Sequence, residues 1–339
     1  MISSLYGAVA TWRRQWYARD PARRRVLARP VVSIGNLSVG GSGKTPIVEY
    51  VARQLLEHGE RPAILTRGYA RRRSTPGVTV VSDGIAVLAD VDSAGDEPLM
   101  LARALPGVAV LVGADRYLSG RLAETRLGAT VHVLDDGFQH LGLARTLDLL
   151  VVSEDDLGDR VMPSGRLREP LAAAAVADAA LVAAGYDTAV DRVARTLGVP
   201  RGFRVARALG APRRIGGTRE SVVVPSDSRV FAVAGVARPD RFFSDVESAG
   251  WRLVGSTAFR DHYRFRQADI ARIAQAARSS AAAIVLTTEK DAVRLEACDL
   301  GDLPIASVPL IVSIEPADAF RTWLFEHLGT QAPQHPSTL

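Results

Sequence analysis

Apolar and polar positions along this chain fall into two alternating patterns. Short runs rich in β-branched residues lie at positions 31–35, 63–66, 108–113, 131–135 and 147–153 and read as strands. Between them, apolar residues return at helical spacing over positions 46–58, 97–104 and 115–126. Strands that alternate with helices predict a mainly parallel sheet covered on both faces, an α/β fold. The pattern weakens over positions 186–228, where Gly, Pro and Arg accumulate. A second series follows, with strands at 230–234, 283–287 and 310–314 and helices at 241–249, 268–279 and 317–328. We expect an α/β core over residues 31–200 and a second, smaller α/β lobe over 201–328. The uncharged tail, 329–339, is expected to be disordered.

Composition adds boundaries. The 339 residues suffice for two domains, and 47% hydrophobic with 23% charged residues excludes a wholly disordered chain. A single cysteine, Cys298, cannot form an internal disulfide, which fits a reducing compartment. The longest uncharged run is 14 residues, positions 30–43, against the roughly 20 apolar residues of a spanning helix. No signal peptide is expected. The net charge of +5 is local: residues 1–30 hold seven arginines against Asp20, a balance of +6, so the remaining 309 residues sum to −1. Generic nucleic-acid binding therefore loses its support.

Of 42 basic side chains only Lys44 and Lys290 are lysine, so both are candidates for sites that need a compact ammonium. The only asparagine, Asn36, lies just upstream of Lys44.

The strongest chemical signal is Val-Val-Ser-Ile-Gly-Asn-Leu-Ser-Val-Gly-Gly-Ser-Gly-Lys-Thr-Pro at positions 31–46. A strand, a glycine-rich loop, Lys-Thr and a helix in this order form a P-loop, although Ser38 stands where the strict spacing asks for glycine. Backbone N–H groups of Ser38, Val39, Gly40, Gly41, Ser42 and Gly43, with the helix N-terminus, suit phosphate oxygens. Lys44 would reach the β- and γ-phosphates, and the Thr45 hydroxyl would ligate Mg²⁺. The second acidic group of such a site is supplied by Asp135 and Asp136, which end an apolar strand in Asp-Asp-Gly-Phe-Gln-His.

Other motifs leave two readings open. Asp96, in Gly-Asp-Glu-Pro before a helix, is a cap or a catalytic carboxylate. His140 is a phosphate or substrate contact or a loop histidine. Arg67, opening an arginine-rich stretch, is a solvated charge or an acceptor-phosphate contact, and Arg168 with Glu169 is an active-site pair or a surface ion pair. A guanine-reading Asn-Lys-x-Asp motif cannot occur with Asn36 as the only asparagine, so ATP is the expected nucleotide.

Taken together, these stretches resemble the tetraacyldisaccharide 4′-kinase (lipid A 4′-kinase) family of Gram-negative bacteria along nearly the whole chain. Positions 34–46, 66–69, 95–98, 135–140, 167–170, 261–263 and 288–293 carry the likeness; the first and fourth together are the most specific. Arg264 and Phe265, after Asp-His-Tyr, depart from the family pattern. The resemblance implies an ATP-dependent lipid kinase that phosphorylates the 4′-hydroxyl of a tetraacylated glucosamine disaccharide 1-phosphate at the inner membrane, its second lobe closing over the P-loop core. It further implies Asp96 as catalytic carboxylate assisted by His262, a Mg²⁺ set of Thr45, Asp135, Asp136 and Glu169, and Arg67, His140 and Arg168 lining the site. No obligate protein partner is inferred. Residues 1–30 then read as a membrane-associating segment: Ile2, Leu5, Tyr6, Val9 and Trp12 share a helical face and arginines follow. The alternatives are packing of that helix on the protein's own core and, for the whole chain, a P-loop ATPase switch at the membrane with no small-molecule acceptor.

Overall fold

A computed structural model describes residues 2–40, 43–68, 71–73, 76–184, 187–215 and 220–329. The chain opens with helix α1 (Ile2–Ala18) and reaches strand β1 (Val31–Asn36), whose six residues are all buried. Helix α2 (Lys44–Glu57) follows the P-loop and turns Ile47, Val48, Val51, Ala52 and Leu55 toward the sheet. Burying an aliphatic side chain of this size contributes about 1.5–3 kcal/mol. Next come β2 (Pro62–Thr66), β3 (Val78–Asp83), the short α3 (Val91–Ala94), α4 (Asp96–Ala104), β4 (Ala109–Gly113), α5 (Arg116–Arg126) and β5 (Val131–Asp135). Strand β6 (Leu147–Ser153), α6 (Glu154–Leu157), β7 (Ala179–Ala183), α7 (Asp187–Leu197) and β8 (Gly202–Leu209) extend the sheet on the other side of β1.

The second lobe begins at β9 (Arg213–Arg214) and β10 (Arg229–Ala234), then α8 (Pro239–Ser248), β11 (Arg252–Ala258), α9 (Gln267–Ser279), β12 (Ile284–Thr288), α10 (Glu289–Leu295) and β13 (Ile305–Val308). The chain then returns to the first sheet through β14 (Leu310–Glu315) and ends its described part in α11 (Ala317–Gly329).

Among the described residues the first sheet has the order β14-β8-β7-β6-β1-β5-β2-β4-β3, parallel except for β3 and β14, which run antiparallel at its two edges. The second has the order β11-β10-β12-β13-β9, with only β9 antiparallel. From β1 the chain crosses over β5 to reach β2, while β6 lies on the opposite side of β1. The carboxyl ends of β1 and β5 therefore flank a topological switch point, where open α/β sheets bind ligands.

The fold class is as expected, but the stretch 201–328 does not pair as one sheet. Strands β8 and β14 and helix α11 belong to the first lobe: Leu209 pairs with Leu310, and Phe320, Trp323 and Leu324 pack in the first lobe's core. Pairing between segments a hundred residues apart leaves no trace in local periodicity, so the sequence reading assigned these elements to the wrong lobe. The expected tail, 329–339, lies outside the described residues beyond Gly329.

Candidate active site

Glycines bring the P-loop and the acidic turn together. A Cβ at Gly35 would lie 2.5 Å from the Phe138 Cβ, and one at Gly137 would lie 2.6 Å from Ser33 Oγ. The turn after β5 therefore folds directly against β1, its Gly137 N–H donating to Ile34 O at 3.0 Å. Asp136 takes a left-handed φ of 53°. In the P-loop, Gly40 (φ 102°) and Gly43 (φ 72°) adopt conformations that disfavour side chains, and open space surrounds both. Gly41 and Ser42 lie outside the described residues.

At the end of this loop the Lys44 ammonium donates to Asn36 Oδ1 at 2.8 Å and sits 3.2 Å from Asp136 Oδ1. Arg168 holds the other Asp136 oxygen at 2.8 Å and Gln139 Oε1 at 3.1 Å. Burial raises the pKa of Asp136, but Lys44 and Arg168 outweigh it and the net shift is downward. Asp135 is different. Burial, with Glu97 and Asp136 nearby, pushes its pKa up to about 6, despite the hydrogen bond from Thr66 Oγ1 at 3.0 Å.

Opposite this group stands a pair contributed by both lobes. Asp96 begins α4, so the cap reading of Asp96 fails: the N-cap is Gly95. Its Oδ2 faces His262 Nδ1 at 2.8 Å and also accepts from the buried Arg294 guanidinium. Burial raises the Asp96 pKa, and the His262 and Arg294 hydrogen bonds more than reverse this, leaving it at about 2. Lys290 approaches His262 Nε2 at 3.3 Å and Glu97 at 3.0 Å. The motif around Lys290 is otherwise a helix cap: Thr288 Oγ1 accepts from Asp291 N at 3.1 Å, and Asp291 takes the Gly235 N–H at 2.9 Å.

One cavity of about 1050 Å³ between the lobes is lined by Gly40, Gly43, Lys44, Thr45, Asp135 and Asp136 on one side and by Asp261, His262 and Lys290 on the other. Arg67, His140 and Arg168 line it too. His140 is pushed down to about 4 by burial and then by Arg116 and Arg145, so its ring is neutral here. Three arginines, Arg207 of β8 and Arg238 and Arg241 of the second lobe, add positive charge to the wall.

Three expected residues are engaged by other partners. Glu169 is not in the lining: Arg14 takes both its oxygens, at 2.7 and 2.9 Å, so it is engaged by a guanidinium rather than open to a metal. Ser38 is buried with its hydroxyl on Asn36 Nδ2, at 3.2 Å. Val39 lines the cavity, but its N–H is spent on Arg166 O at 2.8 Å. Both belong to a strap formed with residues 166–168, which also pins Leu37 O to Arg168 N at 2.6 Å. The residues missed by the sequence reading are Arg14, Asn36, Glu97, Arg116, Gln139 and Arg294. Asn36 carried a signal as the sole asparagine, and Glu97 and Gln139 lie inside the motifs at 95–98 and 135–140; Arg14, Arg116 and Arg294 carried none.

No group of three His, Cys, Asp or Glu side chains among the described residues could hold a metal alone. Thr45, Asp135 and Asp136 nonetheless offer hard oxygen donors to one cavity, which suits an ion that completes its shell with phosphate oxygens and water.

A P-loop at the switch point, an acidic strand end beside it and the paired Asp96 and His262 facing them define a P-loop kinase. The tetraacyldisaccharide-1-P 4′-kinase family profile matches residues 1–329. The tetraacyldisaccharide 4′-kinase of Desulfotalea psychrophila is 40% identical over 302 residues, covering 87% of this chain and 86% of its own. That of Koribacter versatilis is 37% identical over 328 residues, covering 94% and 95%. The crystal structure of the Aquifex aeolicus LpxK protein in complex with ATP superposes with a TM-score of 0.75 at 29% identity, covering 96% of this chain and 97% of that one. This chain belongs to the tetraacyldisaccharide 4′-kinase family.

Proposed function

We propose that the protein transfers the γ-phosphoryl group of ATP to the 4′-hydroxyl of a tetraacylated glucosamine disaccharide 1-phosphate. One observation carries the reading: Lys44 with Asp135 and Asp136 faces His262, which Asp96 holds from behind, across a single cavity. Phosphoryl transfer asks for positioning and for neutralised charge more than for covalent chemistry. Lys44 and the start of α2 bind the phosphates, and Arg168 orders Asp136 beside them. Thr45, Asp135 and Asp136 would hold Mg²⁺, which neutralises phosphate oxygens when bound. The hydroxyl must lose a proton, and a positioned acceptor contributes about 10²–10⁴-fold in rate. With its carboxylate lowered to about 2, Asp96 is a weak base and serves to orient His262. The His262 Nε2 is then the acceptor.

Helix α1 supports a place at an anionic membrane surface. Its inner face, Gly7 and Arg14, is buried, while Leu5, Val9, Trp12 and Trp16 stand 68%, 56%, 61% and 40% exposed on the outer face. Tyr6 and Arg13 also line the cavity, so the docking helix borders the site. No helix among the described residues is long and apolar enough to cross a membrane. Docking on the cytoplasmic face of the inner membrane, without spanning it, fits both facts.

The test is direct. Wild type, Lys44→Ala and Asp96→Ala proteins are incubated in detergent micelles with Mg·ATP and the tetraacyl disaccharide 1-phosphate. Mass spectrometry should find one added phosphoryl group with wild type alone. ADP release with unmodified lipid, undiminished in Asp96→Ala, would instead identify an ATPase switch.

A further inference from the structure

Lys290 is one of two lysines in a chain with 42 basic residues, and it lies far from the P-loop in sequence. Its side chain is 15% exposed. The ammonium converges on three partners: Glu97 Oε1 of the first lobe at 3.0 Å, Asp261 Oδ1 at 3.2 Å and His262 Nε2 at 3.3 Å. A point charge with three donors can serve three directions from one atom, which a planar guanidinium cannot. Glu97 and Asp261 outweigh the cost of burial, so the lysine holds its proton more firmly than usual.

The contacts of His262 fix where its own proton sits. An ammonium can only donate, so the Nε2 facing Lys290 carries a lone pair. A carboxylate can only accept, so the Nδ1 at 2.8 Å from Asp96 Oδ2 carries the hydrogen. Arg294 Nη2 lies 3.1 Å from Nδ1 because both donate to that same oxygen. Asp261 Oδ2, at 3.8 Å from Nε2, is beyond hydrogen-bond reach. The His262 backbone, at a left-handed φ of 58°, donates its N–H to Asp261 Oδ1 at 3.0 Å and holds the ring in this orientation.

We propose that Lys290 is a positioning residue for the proton-accepting pair: it fixes His262 in the Nδ1–H tautomer and ties the ring to Glu97 of the opposite lobe. The proposal rests on the kinase reading only in that the reading makes this pair reactive. Asp96 and Lys290 act on different ring nitrogens, leaving the basic lone pair on Nε2. Glu97 and Asp261 retain the ammonium when a hydroxyl takes its place at Nε2.

The full-length protein labelled with ¹⁵N-histidine tests this by NMR alongside pH–rate profiles. Wild type should give a His262 ring protonated at Nδ1 and bare at Nε2. In Lys290→Met the ring should shift toward an Nε2–H or doubly protonated form, because a cation beside it is gone and Glu97 and Asp261 are left uncompensated. The acidic limb of kcat/KM should then move up by roughly one pH unit. Lys290→Arg keeps the charge, so its limb should stay, while kcat falls on the order of 10–100-fold through lost geometry. An unchanged tautomer and an unchanged limb in Lys290→Met overturn the proposal, whatever happens to the rate. The NMR result does not depend on phosphoryl transfer, so absence of lipid product in wild type would sink the kinase reading separately.

Discussion

The Asn36 carboxamide oxygen accepts a hydrogen bond from the Lys44 ammonium at 2.8 Å, while its nitrogen donates to Ser38 O at 2.7 Å. One side chain at the end of β1 thus sets both the first turn of the P-loop and the direction of its lysine. Asn36→Ala should lower the phosphoryl-transfer rate on the order of 10²-fold at saturating ATP, the scale of a misplacement near 1 Å. It should also destabilise the fold by about 1–3 kcal/mol, because buried polar groups lose a partner. A rate equal to wild type would show that Lys44 is oriented without Asn36.

Arg14 and Glu169 are both buried and bind each other through two hydrogen bonds, and the Arg14 guanidinium also lies 4.4 Å from the centre of the Phe138 ring. Removing one partner of such a pair strands a charge, at about 3–5 kcal/mol. Arg14→Ala should therefore show that loss in denaturant unfolding, and adding Glu169→Gln should recover much of it. Equal stability of the single and double variants would mean that the Glu169 charge is not what Arg14 neutralises.

His140 gives stability a pH dependence of known sign. Burial first, then Arg116 and Arg145, holds its folded pKa at about 4, below the ordinary histidine value. The neutral ring therefore contributes stability that is fully present above about 6.5 and is lost as pH falls toward 4. Allowing for the ring's partial solvent contact, wild type should lose on the order of 1–2 kcal/mol more than His140→Asn between pH 7 and pH 5. Parallel melting curves for the two proteins across that range would contradict the burial of a neutral imidazole.

The outer face of α1 should bind membranes without supporting the fold. In Val9→Glu/Trp12→Glu, two exposed side chains are changed, so the melting temperature should move little. Co-sedimentation with vesicles containing anionic phospholipid should fall at least about tenfold, through lost apolar contact and added negative charge. Sedimentation equal to wild type would place the membrane contact on another surface.

What could be read from the sequence follows from how local each feature is. Strands β1, β2, β4, β5 and β6 are buried, β-branched and closed by turn residues, so their text is sufficient. Strand β7 is mostly alanine, and β8 alternates arginine with apolar residues near the sheet edge, so neither stood out. The P-loop lysine, the two aspartates and the Asp-Glu-Pro turn are likewise local motifs, and the structure gathers them. Arg14 with Glu169, and Arg294 with Asp96, join positions 155 and 198 residues apart, which spacing cannot reveal. The strap that occupies the Val39 N–H is a backbone pairing and leaves no side-chain signature.

Strands β8 and β14 meet with Leu209 opposite Leu310, and the Gly210 N–H closes on Pro309 O at 2.8 Å. In topological terms the entire second lobe is the loop of a β-hairpin, enlarged to the size of a domain. Departing and returning chain share one doorpost at the sheet edge, and the lobe meets the first again where His262, Lys290 and Arg294 bond Asp96 and Glu97. Among the described residues all nine strands of the first sheet lie outside that lobe. Replacing everything between Leu209 and Leu310 by a two-residue Asn-Gly turn should therefore leave an independently folding body that still cradles phosphate and has lost its means of deprotonating an acceptor.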